Sequence, residues 1–398
     1  MVISDALICD VDGEYKADIR IEDGIIKEIG QNLSDAQKVD AEGCYLLPLL
    51  IDTNIRLQDS TLNSKNIKTI SDEALLGGVG TIVLNADSNP AIDNEVVLEF
   101  AQNKIGELEG AKVELMLNTL QEDNSLSNIA ILLKSGAIVP YMSTIAKNNI
   151  AIKVAEYVQM YGVTLFCKAE DNSLINSGVM LDGDISSKLG LAGIADLSEV
   201  LHVSRMIEIA RHFKIKILFK SIASPRSIYL ITKAKEDGVD VSCEVSIHHI
   251  INSDEACDGF NTTAKLDPPL ASSLDVVSLQ EALENSHIDI LTTLHQPNSP
   301  LNKEVAFFDA AYGCEALSDA ISLYYTKLVK SKLITMQELL KMTSQNPAKS
   351  IKLDAGTIKV GQKASMFLFN PDKKRVVDNK QSLYNGEELY GEIVKVFR

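Results

Sequence analysis

Histidine is missing from the first half of this sequence. The first 201 of its 398 residues contain none, and all six histidines follow, beginning at His202. Neutral imidazole is the commonest protein ligand for transition metals, and histidine often supplies the first ligands of a catalytic zinc. A metal centre that needs imidazoles from the first half of the chain is therefore excluded.

Long apolar runs and an excess of positive charge are missing as well. No stretch approaches 18 consecutive apolar residues, so we expect no membrane-spanning helix and no membrane partner. Lysine and arginine number 38 against 55 acidic residues, a net charge of -17 that disfavours nucleic-acid binding. Residues 1–5 include no basic leader before an apolar segment, so we expect no secretory signal and a cytoplasmic location.

The six cysteines include no Cys-x-x-Cys pair, and a chain of this length does not need disulfides to fold. We expect them to be reduced and mostly buried. The composition, 45% hydrophobic and 23% charged, is that of an ordinary globular protein. The length fits two or three domains, or one large barrel with a satellite domain.

Both ends of the chain are rich in strand-like segments. Asp12-Gly13 and Asp23-Gly24 separate short alternating runs at residues 6–9, 17–21 and 25–29, a pattern typical of hairpins. Similar runs occur at 356–361, 364–369 and 392–396. We therefore predict that residues 1–49 and 345–398 together form one small β-sandwich.

The middle of the chain, residues 50–344, alternates strand-like and helix-like segments. Candidate strands are 81–84, 162–166, 215–219, 239–245 and 288–293, and candidate helices begin near 94 and span 198–213. Such alternation over this length favours a distorted parallel (β/α)8 barrel, an α/β fold, although periodicity alone leaves a doubly wound sheet open.

In such barrels the reactive groups follow the carboxyl ends of the strands. The first such segment, 47–58, resembles the dihydroorotase pattern Pro-Gly-x-Ile-Asp-x-His-x-His-Leu-Arg of the amidohydrolase superfamily. Seven further segments resemble landmarks of that family in the same order: 80–93, 168–171, 221–224, 244–249, 265–270, 288–298 and 346–349. The resemblance thus extends over most of the chain.

The framework matches the family, but the residues that carry its chemistry do not. The resemblance implies zinc held by imidazoles and a bridging carboxylate, with an aspartate to manage the proton. At those vestigial positions stand Asn54, Arg56, Met142, Lys168, Ser221 and Leu294. Arg56 cannot deprotonate and Lys168 is normally cationic, so both would repel a divalent ion. We predict no catalytic residue, no metal and no cofactor.

The positions that would bind substrate also differ from the family. Gln58 replaces a carboxylate-binding arginine, Asp87 and Asp267 replace two asparagines, and Asn298 replaces a histidine. Anions in place of neutral amides would repel an anionic dihydroorotate. Which of these four residues still bind a ligand stays unknown from the sequence.

The two cations allow two interpretations. They could fill the former metal cavity and pair with carboxylates such as Asp52 or Asp87, or they could form a site for a carboxylate metabolite. Cys167, beside Lys168, could be an activated thiolate, but a buried unreactive thiol is the interpretation we favour.

Other motifs have simpler structural interpretations. His248 and His249 would face opposite sides of a strand, so we expect them and His295 to be structural. Ser221 has no visible base partner as a nucleophile. The Gly-Gly-Val-Gly stretch at 77–80 lacks the lysine of a phosphate loop and is expected to be a helix-to-strand turn.

The leading functional hypothesis is a dihydroorotase-like pseudoenzyme of pyrimidine biosynthesis. The resemblance implies a non-catalytic scaffold for aspartate carbamoyltransferase, and we expect a homo-oligomer. One alternative is a weakly active or repurposed cyclic-amide hydrolase that uses Lys168, Asp87 or Cys167. Another is a protein that binds a carboxylate metabolite in the former active site.

Overall fold

The computed structural model describes residues 1–143 and 147–398. The strands of these residues are β1 (Val2–Asp10), β2 (Gly13–Glu22), β3 (Ile25–Gly30), β4 (Lys38–Asp40), β5 (Tyr45–Pro48), β6 (Leu50–Ile55), β7 (Val79–Leu84), β8 (Lys112–Asn118), β9 (Val139–Met142), β10 (Thr164–Lys168), β11 (Met180–Leu181), β12 (Gly193–Ile194), β13 (Lys216–Lys220), β14 (Val241–Ser246), β15 (Ile290–Thr292), β16 (Met366–Val376) and β17 (Glu388–Phe397).

The helices are α1 (Ser64–Leu76), α2 (Glu95–Ile105), α3 (Ile129–Lys134), α4 (Asn148–Tyr161), α5 (Asp184–Leu189), α6 (Leu197–Phe213), α7 (Pro225–Glu236), α8 (Ile247–Ile251), α9 (Ser273–Glu284), α10 (Pro300–Lys303), α11 (Ala320–Tyr324), α12 (Met336–Leu340) and α13 (Asn346–Ser350). No helix in the described ranges is long and apolar enough to cross a membrane.

Strands from both ends of the chain form one seven-stranded sheet. Its order is β17-β16-β5-β1-β2-β3, with β4 added beside β1. The buried face of this sheet carries its own apolar cluster, which includes Ile8, Ile19, Leu46 and Met366. The prediction that the two termini meet in one small sheet is confirmed, while the domain boundaries at residues 50 and 344 stay predictions.

One predicted strand of this sheet is wrong. Residues 356–361 form turns, because Gly356 and Gly361 have φ values of 86° and 91°, which extended strands do not use. A Cβ atom on Gly356 would lie 2.5 Å from the Ser344 carbonyl oxygen. The segment still contributes to the core through Ile358, which is buried.

The middle of the chain forms a nearly closed parallel barrel. Its eight strands follow the order β15-β14-β13-β10-β9-β8-β7-β6, and each neighbouring pair is parallel. A parallel bridge between Ile55 and His295 joins the two ends of this order. The predicted (β/α)8 barrel is therefore confirmed, and the doubly wound alternative is wrong.

Close packing explains the Gly-Gly-Val-Gly stretch between α1 and β7. A Cβ atom on Gly77 would lie 1.8 Å from the Leu317 carbonyl oxygen. Gly78 has a φ of 79° and packs against Phe367 of the terminal sheet. The stretch is a helix-to-strand turn, as the sequence predicted, and its glycines allow the barrel to pack closely against Leu317 and against the terminal sheet.

Candidate functional site

The carboxyl ends of the barrel strands bring the six vestigial positions to one end of the barrel. Asn54 lies on β6, and Met142 and Lys168 end β9 and β10. Ser221 directly follows β13, and Leu294 comes two residues after β15. Parallel strands direct these side chains to the same edge, where barrel enzymes place their chemistry.

Asn54 is the centre of a buried hydrogen-bond network. Its Nδ2 donates to Ser221 Oγ at 2.6 Å and to Glu244 Oε1 at 2.5 Å. Its Oδ1 accepts from Asn85 Nδ2 at 3.0 Å, and Thr53 Oγ1 donates to Glu244 Oε2 at 2.6 Å. Amide and hydroxyl groups here bond to one another, which holds the strand ends together.

A buried lysine lies beneath this network. Lys220 Nζ donates to the Thr53 carbonyl oxygen at 2.5 Å, lies 3.7 Å from Glu244 Oε2 and faces the Phe166 ring at 5.4 Å. The side chains of Lys220 and Glu244 are 2% and 0% exposed. Burial lowers the pKa of Lys220 to about 8, although Glu244 opposes that shift. The sequence analysis did not single out Lys220, whose position gives no motif signal.

Arg56 forms an ion pair with Asp87. Arg56 Nη2 and Nε lie 3.0 and 3.3 Å from Asp87 Oδ2, and the arginine side chain is 10% exposed. Burial disfavours the charge, but Asp87 together with Tyr141 and Asp267 outweighs that cost, so the Arg56 pKa is raised above its ordinary value. The predicted partner Asp87 is correct.

The other predicted partner, Asp52, is wrong. Asp52 accepts from the Thr293 backbone N at 2.8 Å, from Thr293 Oγ1 at 2.6 Å and from the Asn54 backbone N at 2.9 Å. It therefore ties β6 to the residue that follows β15, and it forms no ion pair with a lysine or arginine among the described residues. Burial raises its pKa to about 6.

Lys168 lies between two carboxylates. Its Nζ is 2.7 Å from Glu170 Oε2 and 2.7 Å from Asp267 Oδ2. Burial disfavours the ammonium charge, but Asp267 and Glu170 outweigh that cost and raise the pKa of Lys168. Burial would raise the pKa of Asp267, yet Lys168 and Arg56 lower it overall. Burial also raises the pKa of Glu170, and Lys168 opposes that shift.

Two of the four former substrate positions lie elsewhere or are already bonded. Gln58 is exposed and lines a separate cavity of about 80 Å³ beside Glu73 and Glu315. Asn298 Nδ2 donates to the carbonyl oxygens of Gln296 and Tyr312 at 3.2 and 2.8 Å. Met142 and Leu294 are buried and apolar.

The space beside Lys168 is small. A cavity lined by Lys168, Lys220, Ser221 and Asp267 has a volume of about 50 Å³. That volume holds a few waters, whereas ligand pockets usually measure about 300–1,000 Å³. A shallower depression of about 430 Å³ lies outward of Lys168, beside Tyr312 and residues 172–176.

Glu199 lines the same cavity and was missed by the sequence analysis. Its carboxylate accepts from the backbone N atoms of Ala223 and Ser224, at 2.9 and 3.0 Å, at the start of α7. Burial raises its pKa to about 7. Glu199 lies within a helix and outside any recognisable motif, so the sequence does not mark it as a site residue.

The histidines have internal partners. The expected strand position of His248 and His249 is wrong, because both lie on the short helix α8. His248 bonds Tyr384 OH at 3.0 Å and Cys314 Sγ at 3.2 Å, while His249 Nδ1 bonds Ser246 Oγ at 2.7 Å. Burial lowers their pKa values to about 3 and about 4.

Cys167 does not face the neighbouring lysine charge. Its Sγ lies 3.3 Å from His202 Nε2, and both side chains are buried. Burial raises the pKa of the Cys167 thiol to about 12. A thiol with such a pKa is a poor nucleophile at neutral pH.

The residues at the former metal positions do not fit zinc. Zinc takes imidazole, thiolate or carboxylate ligands, whereas the strand ends here present an amide, a hydroxyl and two cations. At about 4 Å and an effective dielectric of about 20, each cation would repel a divalent ion by about 8 kcal/mol. Across residues 1–143 and 147–398, no group of three or more His, Cys, Asp or Glu side chains could hold a metal ion.

Comparison with known families finds two matches that together span the chain from residue 43 to its end. The family described as Dihydro-orotase-like matches residues 43–220, and the Amidohydrolase family matches residues 185–398.

Two curated relatives are named dihydroorotase. The protein from Caldanaerobacter subterraneus subsp. tengcongensis is 33% identical, with 98% of this chain and 94% of the relative covered. The protein from Elusimicrobium minutum is 34% identical, with 94% and 86% covered. Among solved structures, the L-hydantoinase (dihydropyrimidinase) from Arthrobacter aurescens has a TM-score of 0.89 at 20% identity, with 99% and 93% covered. This last likeness concerns the fold alone.

Proposed function

Because the chain belongs to the dihydroorotase-like amidohydrolase family, we propose that it is a non-catalytic dihydroorotase homologue that serves pyrimidine biosynthesis as a scaffold. The observation that carries the proposal is the pair of cations, Arg56 and Lys168, at positions where the family places zinc ligands. Each cation already has a carboxylate partner, Asp87 or Asp267, within 3.0 Å.

These ion pairs argue against a latent metal site. A carboxylate that ligates zinc must give up its other cationic partner or share it, and Asp87 and Asp267 each already hold a cation. Removing one partner of such a pair is costly, because the remaining charge stays buried without compensation. Metal binding would therefore need at least two ion pairs to break before any ligand formed.

The aspartate with which the family manages the proton of amide hydrolysis is also missing. Leu294 stands where the family places its catalytic aspartate, and it is buried and apolar. The carboxylate of Asp52, on β6, accepts three hydrogen bonds from backbone and hydroxyl donors. A general base must have a free lone pair within hydrogen-bond reach of the substrate.

The same ion pairs disfavour the alternative of a carboxylate-binding pocket. An anionic ligand would have to displace Asp87 from Arg56, or Asp267 and Glu170 from Lys168. The enclosed cavity beside Lys168, about 50 Å³, has little room for a metabolite, so a ligand of Lys168 would have to lie in the open depression of about 430 Å³.

The test of lost catalysis is dihydroorotate hydrolysis by protein produced in a host that lacks its own dihydroorotase. The curated dihydroorotase of Caldanaerobacter subterraneus subsp. tengcongensis serves as the positive control. We expect turnover indistinguishable from buffer and less than one zinc per ten chains by inductively coupled plasma mass spectrometry, about the level of contamination. Turnover that co-purifies with one metal per chain, and that Arg56→Ala changes, would contradict the proposal.

The scaffold role is tested separately. The family resemblance supports aspartate carbamoyltransferase as the partner and a homo-oligomeric chain. Light scattering after size exclusion, on the untagged chain alone and mixed with that enzyme from the same organism, should give a mixed peak of defined stoichiometry. Independent elution of the two proteins at micromolar concentration would exclude this partner and leave the question of catalysis unaffected.

A further inference from the structure

Strand β17 ends the terminal sheet, so one of its edges has no neighbouring strand. Near Tyr390 and Gly391 this edge is covered, since Thr326 Oγ1 accepts from the Tyr390 backbone N at 2.7 Å and Ser322 Oγ donates to the Gly391 carbonyl oxygen at 2.8 Å. Beyond them, residues 392–396 make no backbone hydrogen bond outside the β16 ladder within the described residues. An uncovered edge of this kind can accept another strand.

A groove of about 790 Å³ runs beside residues 392–396. The end of α1, the segment 318–322 and residues 375–379 form its other walls. Three apolar side chains in these walls, Leu76, Val376 and Val394, are 67%, 61% and 57% exposed. Exposed apolar side chains grouped in one groove are typical of an interaction surface.

The charge of the groove is mainly negative. Glu315, Asp378 and Glu392 line it, and none of them forms an ion pair with a lysine or arginine in the part of the chain that the structure describes. Arg375 also lines the groove, but Asp319 already neutralises it. The groove therefore offers carboxylates that no lysine or arginine of the described residues neutralises.

The edge strand has one lysine of its own, Lys395, which could discourage strand pairing. Its Nζ lies over the Phe397 ring, 5.4 Å from the ring centre. The lysine is therefore folded along its own strand, and Val394 beside it is left uncovered.

We propose that this groove binds an extended, lysine- or arginine-rich segment of another protein, which adds to the free edge of β17 as a further strand. Backbone hydrogen bonds to residues 392–396, on either side of the bulge at Val394, would give affinity, and basic side chains on one face of the added strand would meet Glu392 and Asp378. The inference stands whether or not the barrel has lost catalysis.

Charge favours a basic partner over a second copy of this chain. Two copies would each carry a net charge of -17 and would bring two acidic grooves together. Like charges across an interface suppress association, whereas opposite charges steer it.

The probe is a fluorescein-labelled seven-residue peptide of alternating lysine and valine, measured by fluorescence anisotropy with the whole chain. The matched control peptide alternates glutamate and valine and has the same strand propensity. A second control is the lysine peptide methylated on alternate backbone nitrogens, which keeps its charge but cannot pair along a strand edge. We expect saturable binding of the first peptide and at least about tenfold weaker binding of both controls.

Protein variants locate the binding. Glu392→Lys combined with Asp378→Lys should weaken the lysine peptide by about tenfold or more, and Leu274→Lys, at an 80% exposed position of α9, should leave it unchanged. If the methylated peptide bound as tightly as the unmethylated lysine peptide, strand pairing would be overturned. That comparison uses the wild-type protein alone. Binding that ignores the double substitution, or a dimer of the chain that excludes the peptide in light scattering, would overturn the proposal.

Discussion

Lys168 and Asp267, 99 residues apart, form a 2.7 Å ion pair that joins the end of one barrel strand to a loop. Lys168 ends β10, and Asp267 lies in the segment between β14 and β15. An ammonium group between two carboxylates makes this connection. The consequence is that the charge of the site is part of what holds this end of the barrel together.

Replacement of Lys168 by methionine should destabilise the protein. Asp267 and Glu170 would remain half-buried without a cation, and loss of one partner of a fully buried pair costs about 3–5 kcal/mol. The Lys168 side chain is 23% exposed, so solvent screening reduces the expected loss to about 2 kcal/mol. Urea unfolding at pH 7 measures this change.

The control is the double variant Lys168→Met/Asp267→Asn, which removes one of the two uncompensated carboxylates and should recover part of the loss. The pKa of Asp267 is lowered in the folded chain, so its contribution is present at neutral pH and is lost as pH falls through that lowered value. The deficit of Lys168→Met should therefore shrink in acid. A deficit that stays constant with pH would show that lost packing, and not charge, is its cause.

A second prediction concerns Glu199. Burial raises the pKa of this residue from its ordinary 4.5 to about 7. Between those values the folded state binds more protons than the unfolded state, so the contribution of Glu199 is fully present below pH 4.5 and is lost as pH rises through 7. Glu199→Gln should match the wild type at pH 4.5 and be more stable by about 3 kcal/mol at pH 8.

The measurement is the free energy of unfolding in urea at several pH values. Glu208→Gln is the matched control, because Glu208 lies on the same helix α6 and its side chain is 72% exposed. The control should run parallel to the wild type. Parallel curves for Glu199→Gln as well would contradict a raised pKa at Glu199.

Local patterns in the sequence predicted the barrel and the terminal sheet well. The short apolar runs between helix-like segments predicted most of the barrel strands, because a strand that is buried on both faces needs a continuous apolar run. The prediction failed at residues 356–361, where an alternating sequence that is typical of a strand forms turns at Gly356 and Gly361. It failed again at His248 and His249, where β14 ends and α8 begins.

The partners of charged side chains were harder to predict. The sequence offered both Asp87 and Asp52 as partners of Arg56. The structure pairs Arg56 with Asp87, whereas Asp52 accepts a hydrogen bond from Thr293. Lys220 meets the Thr53 carbonyl oxygen across 167 residues, and no spacing in the sequence encodes such a contact. Side-chain partners depend on the register of distant strands, which composition and periodicity do not determine.

A third prediction is that chelation leaves the protein unchanged. Internal cations at the former metal positions make a structural metal unnecessary, so overnight treatment with EDTA should shift the unfolding temperature by less than about 1 °C. Added zinc should have an equally small effect. The curated dihydroorotase of Caldanaerobacter subterraneus subsp. tengcongensis, treated in parallel, shows how a relative named for the activity responds. A fall of several degrees that zinc reverses would reveal a metal site.

The last prediction concerns the protonation of His295. Its Nδ1 accepts from the backbone N atoms of Ala316 and Leu317, both at 3.2 Å, so its single ring hydrogen must lie on Nε2. That nitrogen faces Glu73 Oε2 at 3.7 Å. Burial lowers the pKa of His295 to about 3. Its contribution to stability is therefore present above pH 6.5 and is lost progressively as pH falls from 6.5 toward about 3.

Nitrogen-15 NMR of imidazole-labelled protein can observe this tautomer directly, with the His295→Asn variant to assign the signal. We expect an unprotonated Nδ1, a protonated Nε2 and chemical shifts that stay constant between pH 7.5 and 5.5. N-acetylhistidine amide in the same buffers should titrate near its ordinary pKa of about 6.5. A His295 signal that moves with this reference compound would mean that the ring can accept a second proton, and that Glu73 stabilises an imidazolium at this position.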